Sequence, residues 1–531
     1  MGDVAETLPG SVDALRALVL QRNDEIRQRD LALRERDAEF EARDAEIAQL
    51  REYLRLLRHQ RFGTKSEKVH PDQLRIFNEA EQQREASPEP DEITVPAHTR
   101  RKGGRRPLPD SLPVVEVVHD LPDEQKVCTH DGSALVEIGR ETSEQLEILP
   151  ARLRRLRHVR PKYACPTCKE GVATAALPPQ PIPKSIASPA LLAHVATQKF
   201  VDGMPLYRQE RALERIGVAL PRSTLASWMV KMGQAVQPLV NLLHEEILAT
   251  GFVQCDETRF QVLKEPGRDP TSLSYLWVLR AGGRDRPAVV YHYDPSREGA
   301  VAERLLAGFE GYLQTDGYPG YDALGRRPGI VHVGCFAHAR RRFHEAWKAQ
   351  GGGKKARPIQ GSKAKQGLER IRALYRIERE LGEAPPAERH RVRLERSKPI
   401  LDDLREWLDD VRDTVPPQSL TGKALVYLDR QWPKLLRVLD DGRLPLDTNA
   451  VENAIRPFVV GRKAWLFADT VAGAEASANL YSLVETAKAN GIEPFAYLRF
   501  VFERLPAAQR LEDFEALLPN RIDRAALLRD L

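Results

Sequence analysis

The sequence predicts a multidomain α+β protein, and three observations carry that reading: chain length, a composition that changes along the chain, and acids set inside apolar runs. At 531 residues the chain exceeds what a single hydrophobic core supports, so three or more units are expected. Positions 79 to 113 are rich in Pro, Glu and charge and lack apolar periodicity, which marks a linker. Further on, Gly251 to Leu263 reads as buried strand through Phe252, Val253, Phe260, Val262 and Leu263. Asp256 interrupts that strand with a carboxylate that is costly to bury unless it is paired or metal-bound.

Composition narrows the classes. A net charge of +5 on 81 basic and 76 acidic side chains is mild, so a polyanion partner must be met by local basic clusters. Five cysteines, two of them in one Cys-x-x-Cys, argue for a reducing compartment and zinc rather than a disulfide framework. No apolar run approaches the roughly 18 to 20 residues of a membrane span, and the start lacks a basic-then-apolar signal region. A cytoplasmic protein without membrane contact is expected.

Taken in order, Val19, Ile26, Leu33, Phe40, Ile47 and Leu54 recur every seven residues, the period of a coiled-coil helix. The companion seam position is Leu15, then Arg22, Arg29, Arg36 and Arg43, returning to Leu50 and Leu57, so the seam is thin and a weak coiled coil or a solvated charged helix both fit. The linker carries Arg100, Arg101, Lys102, Arg105 and Arg106 on a Gly/Pro backbone, suited to a narrow minor groove or to solubility alone. Cys128 and His130, with Cys165 and Cys168, offer four zinc ligands, the fourth being His130 or Asp131. Between the pairs, Arg152, Arg154, Arg155, Arg157, Arg160 and Lys162 crowd a hairpin-like segment able to grip phosphates. Leu206 to Trp228 reads as helix, glycine turn and second helix capped near Ser223, the spacing of a helix-turn-helix that would set Arg222 against DNA, though such pairs are also common packing units.

After Gly251, strand-like runs at 252–263, 273–281 and 288–293 precede a helix-like run at 298–306 and strands ending at Asp316 and near 330–333. That β-β-β-α-β-α-β order is the plan of a ribonuclease-H-like sheet, in which the first and fourth strands are neighbours. Asp256 and Asp316 would then meet, and two carboxylates together call for a divalent cation, Mg²⁺ or Mn²⁺. Glu452 fits as a third acid from a following helix, which would allow two ions to be held across a phosphodiester. It also fits a capping box with Asn449, and Glu475 and Glu485 are rival third acids. Asp316 and Glu452 stand 136 residues apart (452 − 316), so an insertion is inferred, helical in pattern from Lys363 to Val411.

These motifs together resemble the transposases of the insertion sequence 66 family. Carrying the likeness are Arg61 to Lys68, the basic linker, the zinc-like pairs, Cys255 to Thr258, Asp316 to Tyr318, Cys335 to Phe343 and Asn449 to Trp465, nearly the whole chain in one order. The resemblance implies a bacterial, nucleoid-associated DDE transposase with Asp256, Asp316 and Glu452 as catalytic, Mg²⁺-holding triad and structural Zn²⁺ on Cys128, His130, Cys165 and Cys168. It implies binding to the terminal inverted repeats of its own element, cleavage at the 3′ ends and joining to target DNA, by a homo-oligomer with small accessory proteins. Arg340, Arg341, Arg456, Arg462 and Lys463 are candidate phosphate contacts. Two departures stand out: the family often has two regular Cys-x-x-Cys pairs, and Phe336 stands where tryptophan commonly follows the cysteine at 335. Cys335-x-x-His338 is either a zinc pair or a buried structural one.

The expected organisation is a coiled-coil helix at 1–68, linker at 69–113, zinc-finger-like unit at 114–178, helix-turn-helix-like region at 179–245, ribonuclease-H-like core at 246–350 and 412–490, helical insertion at 351–411 and C-terminal helical region at 491–531. The rival function is an inactive, transposase-derived DNA-binding repressor, which would need no acids. A coiled-coil scaffold would explain only the first 60 or so residues.

Overall fold

The computed structural model describes residues 153–164, 172–281, 286–351 and 361–522, with shorter stretches nearer the N-terminus and Leu527. Met1–Phe77 with Ala173–Leu531 form one compact unit and Asn78–Val172 a second. Residues 22–30 are helical, and the heptad residues Ile26 and Leu33 are 56% and 53% exposed. Lys162–Ala164 (β1) and Val172–Thr174 (β2) pair as a two-stranded sheet flanking the Cys165 and Cys168 segment. The four expected zinc ligands, Asp131, and the linker residues Arg100, Arg101, Lys102, Arg105 and Arg106 lie outside the described residues. Arg154, Arg155, Arg157, Arg160 and Lys162 are exposed.

Four helices lead into the sheet: Pro189–Phe200 (α1), Leu206–Arg215 (α2), Arg222–Ala235 (α3) and Gln237–Ala249 (α4). The α2–α3 turn passes through Gly217, whose φ of +87° favours glycine. Helix α3 begins one residue before the expected Ser223 cap, with Pro221 preceding it and the Arg222 amide donating to Glu210 at 3.1 Å. It buries Leu225, Trp228, Met229 and Met232 while Arg222, Ser223, Ser227 and Lys231 face outward.

The sheet is built from Phe252–Lys264 (β3), Leu273–Ala281 (β4), Ala288–Asp294 (β5), Gly311–Gln314 (β6) and Ile330–Val333 (β7), in the order β5-β4-β3-β6-β7. Helix Gly299–Leu305 (α5) crosses from β5 to β6. Strand β3 is antiparallel to β4 and parallel to β6, so the first and fourth core strands are neighbours as the sequence suggested. Gly311 permits this: its φ is +131°, and a Cβ there would lie 2.2 Å from the Gly251 carbonyl oxygen. The helix expected between β6 and β7 is reduced to 3₁₀ turns at Pro319–Tyr321 and Leu324–Arg326. Pro319, Gly320 and Gly325 break helical propagation there.

Past β7 come Phe336–Ala349 (α6), Lys363–Leu381 (α7), Pro386–Val392 (α8), a π turn, Lys398–Arg412 (α9) and Leu420–Leu435 (α10). Helices α6, α7, α9 and α10 share a second core in which Phe336 and Phe343 of α6 pack with Leu368, Leu404, Trp407, Leu428 and Trp432. The chain then re-enters the sheet region through Asn449–Trp465 (α11), Ala468–Thr470 (β8), which pairs with the far end of β3, and Val471–Ala489 (α12). Helix α12 covers the edge strand β5: Ser482 and Thr486 hydroxyls accept from the Tyr291 and Val289 amides at 2.8 and 3.0 Å. Pro494–Arg504 (α13) and Leu511–Glu515 (α14) complete the unit. Among the described residues, no helix is long and apolar enough to cross a membrane.

Candidate active site

The parallel ladder between β3 and β6 ends at Gln254 opposite Gln314, and each strand carries an aspartate two residues further on. Asp256 is still within β3; Asp316 follows the end of β6. Burial pushes the Asp256 carboxyl well above its ordinary range, the negative charges of Glu257, Asp316 and Glu452 add to the rise, and the Glu257 amide at 2.8 Å opposes it. Asp316 is also raised by burial and by Glu257, against the opposing effects of His338, the Tyr318 amide at 2.8 Å and Arg297. Asp256 therefore feels the charges of both other acids singled out in the sequence.

Glu452 comes in from the first turn of α11 and is 5% exposed. Its Oε1 lies 3.1 Å from the Thr448 hydroxyl and 3.8 Å from His338 Nδ1, and its Oε2 lies 3.6 Å from Arg341. The capping box with Asn449 is not formed: Thr448 is the N-cap, and the Asn449 amide donates to Asp447 Oδ1 at 3.2 Å. The rival acids are elsewhere. Glu475 is exposed, and Glu485 pairs with Lys488 at 2.8 Å close to Tyr291 and Tyr481.

Cys335, His338 and Glu452 offer ligand atoms within 4.8 Å of one another and could hold a metal ion. The Cys335 thiol is pushed up by burial and lies 3.3 Å from the Thr448 amide and 3.2 Å from its hydroxyl, so as it stands it is a buried hydrogen-bond acceptor.

The remaining basic candidates divide. Arg341 is turned toward Glu452, while Arg340 lies 5.4 Å from the Tyr375 ring. On α11, Arg456 and Lys463 follow Glu452 by four and eleven residues and share its helical face. Arg462 points elsewhere, donating to the Arg259 carbonyl. Arg222 is exposed at the start of α3.

Sequence reading missed Glu257. Its carboxylate is 1% exposed and is clasped by Arg297 at 2.6 Å and by the Tyr321 hydroxyl at 2.6 Å. Its adjacency to Asp256 was the available signal, since neighbours on a strand face opposite sides and a second polar residue there needs its own partner.

Comparison with known families places the chain among the transposases. Residues 184–476 match the family described as "Transposase IS66 family", residues 482–520 the "IS66 C-terminal element", residues 49–117 "Transposase C of IS166 homeodomain", and residues 125–169 the "zinc-finger binding domain of transposase IS66". The chain belongs to the IS66 transposase family. Similar proteins include "Uncharacterized protein y4jD" of Sinorhizobium fredii, 35% identical over 424 residues, covering 78% of this chain and 81% of that one. "Uncharacterized protein y4qI" of the same organism is 31% identical over 536 residues, covering 96% and 97%. The zinc-finger match spans Cys128, His130, Cys165 and Cys168 and supports a structural zinc there.

Proposed function

We propose that this protein is a metal-dependent DDE transposase with a ribonuclease-H-like core, and that Asp256, Asp316 and Glu452 are its catalytic acids. One observation carries the reading: the Asp256 carboxyl, raised first by burial and by Glu257, is raised further by Asp316 and Glu452, acids 60 and 196 residues away (316 − 256 and 452 − 256). Gathering buried carboxylates from distant segments is unfavourable unless positive charge offsets it, in part from His338 and Arg341 beside Glu452 and, in this reading, from a bound cation. The donor set suits a hard divalent ion, Mg²⁺ or Mn²⁺, because all three are carboxylates, Asp256 and Asp316 at the open end of a parallel strand pair and Glu452 on helix α11. When bound, such ions activate the attacking oxygen and stabilise the leaving oxygen of an in-line phosphodiester displacement.

The protein's own groups supply the rest. Asp256 and Asp316 fix two ligand positions on strands; Glu452 supplies a third from a helix. Arg297, held by Glu257, limits the negative potential around Asp316. Arg456 and Lys463, on the Glu452 face of α11, and Arg340 at its margin are suited to hold phosphates of the transposon end. Recognition of the terminal inverted repeats falls to the zinc unit, the basic linker and Arg222, and the heptad helix suits self-association. In the reaction, water opens the 3′ end of the element and the freed 3′-hydroxyl attacks target DNA.

The test is incubation with the flanking ends of its own element plus Mg²⁺. Strand-specific nicks that Asp256→Asn abolishes support the reading. Tight end binding with no nicking under Mg²⁺ or Mn²⁺ would instead make the chain a DNA-binding repressor.

A further inference from the structure

The helix carrying Glu452 is joined to the sheet by side chains at its entrance. Three successive carbonyls, of Pro445, Leu446 and Asp447, each accept a hydrogen bond from outside their own segment. Gln314 Nε2 donates to Pro445 at 2.8 Å, the Phe336 amide to Leu446 at 2.9 Å, and Gln254 Nε2 to Asp447 at 3.0 Å. The two glutamines are also bonded to each other, Gln254 Nε2 to Gln314 Oε1 at 2.7 Å, and Gln314 Nε2 reaches the Gly334 carbonyl at 3.1 Å. Both are almost fully buried, at 1% and 0% exposure, where a leucine would fill the space without any polar demand. Each stands two residues upstream of an aspartate: Gln254 before Asp256 within β3, Gln314 before Asp316 just past β6.

A third grip comes from the inserted helices. Tyr375 of α7 donates its hydroxyl to Asp447 Oδ2 at 2.8 Å, and the other oxygen, Oδ1, accepts the Asn449 amide at the first residue of α11. The same Asp447 is thus held by β3 through its carbonyl and by the insertion through its carboxylate.

We propose that Gln254, Gln314 and Tyr375 are positioning residues that fix Glu452 against the two aspartates, and that the helical insertion acts on the acid set through the Tyr375–Asp447 bond. The inference rests on the reading of Asp256, Asp316 and Glu452 as one divalent-ion site. It gives the insertion a role in the chemistry besides any surface it presents: whatever shifts α7 shifts the entrance of α11, and with it the third ligand.

The experiment uses the full chain and reads Mn²⁺ binding by electron paramagnetic resonance, beside the Mg²⁺ dependence of end nicking. Asp256→Asn defines the signal that belongs to the acids. Gln314→Leu, Gln254→Leu and the milder Tyr375→Phe are expected to weaken that Mn²⁺ binding roughly 10- to 100-fold, the scale of lost outer-sphere support, while binding of transposon ends is unchanged. Thr486→Val, which removes a buried hydroxyl from the distant β5 edge, controls for general loosening and is expected to leave the Mn²⁺ affinity unchanged. Parent-like Mn²⁺ affinity in Tyr375→Phe and both glutamine variants overturns the inference alone. Equal weakening in Thr486→Val overturns it too. If Asp256→Asn itself leaves the Mn²⁺ signal intact, the reading of the acid site fails first and takes the inference with it.

Discussion

Two regions of this molecule bury charge, and they do so in opposite ways. In the helical region Arg393 is 1% exposed, and its guanidinium is saturated from within: both Glu378 oxygens at 2.7 and 2.8 Å, and the Val438 and Asp441 carbonyls at 3.1 and 3.2 Å. At the end of the β3–β6 ladder, Asp256 is raised by burial and then by the charges of Glu257, Asp316 and Glu452. The first arrangement is neutralised by the protein itself; the second, in the function proposed above, is completed by a divalent cation. Even adjacent residues of β3 show the contrast, because Glu257 has Arg297 and Tyr321 whereas Asp256 has the Glu257 amide.

The sharpest way to break the comparison is to leave the finished pair half made. Glu378→Leu strands the buried Arg393 guanidinium, which shares that carboxylate with Arg389 at 2.8 Å, and is expected to cost about 3–5 kcal/mol in denaturant unfolding, most of it recovered when Arg393 is also replaced by methionine. A cost near zero for the single variant would mean the pair is not sealed from water. The acids should behave the other way round: Asp256→Asn, Asp316→Asn and Glu452→Gln each lower Mg²⁺-dependent nicking by roughly 10²- to 10³-fold or more, with end binding and fold intact. Nicking that survives Glu452→Gln would remove the third acid from the set.

A smaller effect is expected at the β5 edge, where Thr486→Val leaves the Val289 amide without its partner and costs about 1–3 kcal/mol with no change in nicking per folded molecule. The last prediction concerns pH. A carboxyl whose folded pKa is raised contributes stability that is fully present below its ordinary value of 3.8 and is lost as pH climbs through the folded value. Metal-free protein should therefore lose thermal stability across that window more steeply than Asp256→Asn, and saturating Mg²⁺ should flatten the difference. Parallel curves in the two proteins would show that Asp256 is not held against its neighbours' charge.

Much of this was legible in the sequence, for identifiable reasons. Asp256 stands out because an acid inside Phe, Val and Leu is costly to bury, and the 136 residues from Asp316 to Glu452 (452 − 316) leave room for the helices α6 to α10. The strand neighbours follow from element order. What stayed hidden depends on contacts between remote segments. Gln254 and Gln314 look like ordinary polar residues in strands until their amides are seen on Pro445 and Asp447. Arg341 reads as one of three equivalent arginines, but helical geometry turns it to Glu452 while Arg342 lies 4.3 Å from the Tyr427 ring. Between β6 and β7 the expected element order calls for a helix, which Pro319, Gly320 and Gly325 reduce to short 3₁₀ turns.

Strand β3 is joined at its far end by β8, with Val262 opposite Ala468 and Lys264 opposite Thr470. Synthesis therefore delivers the two halves of this ladder at very different times, the first while the inserted helices and α11 are still untranslated. Any product that stops short of residue 452 has two acids and no third, and any product that stops short of 468 leaves β3 unclosed. Interrupted or frameshifted copies of the coding sequence would thus keep the segments proposed to recognise DNA ends while lacking the third acid of the proposed set.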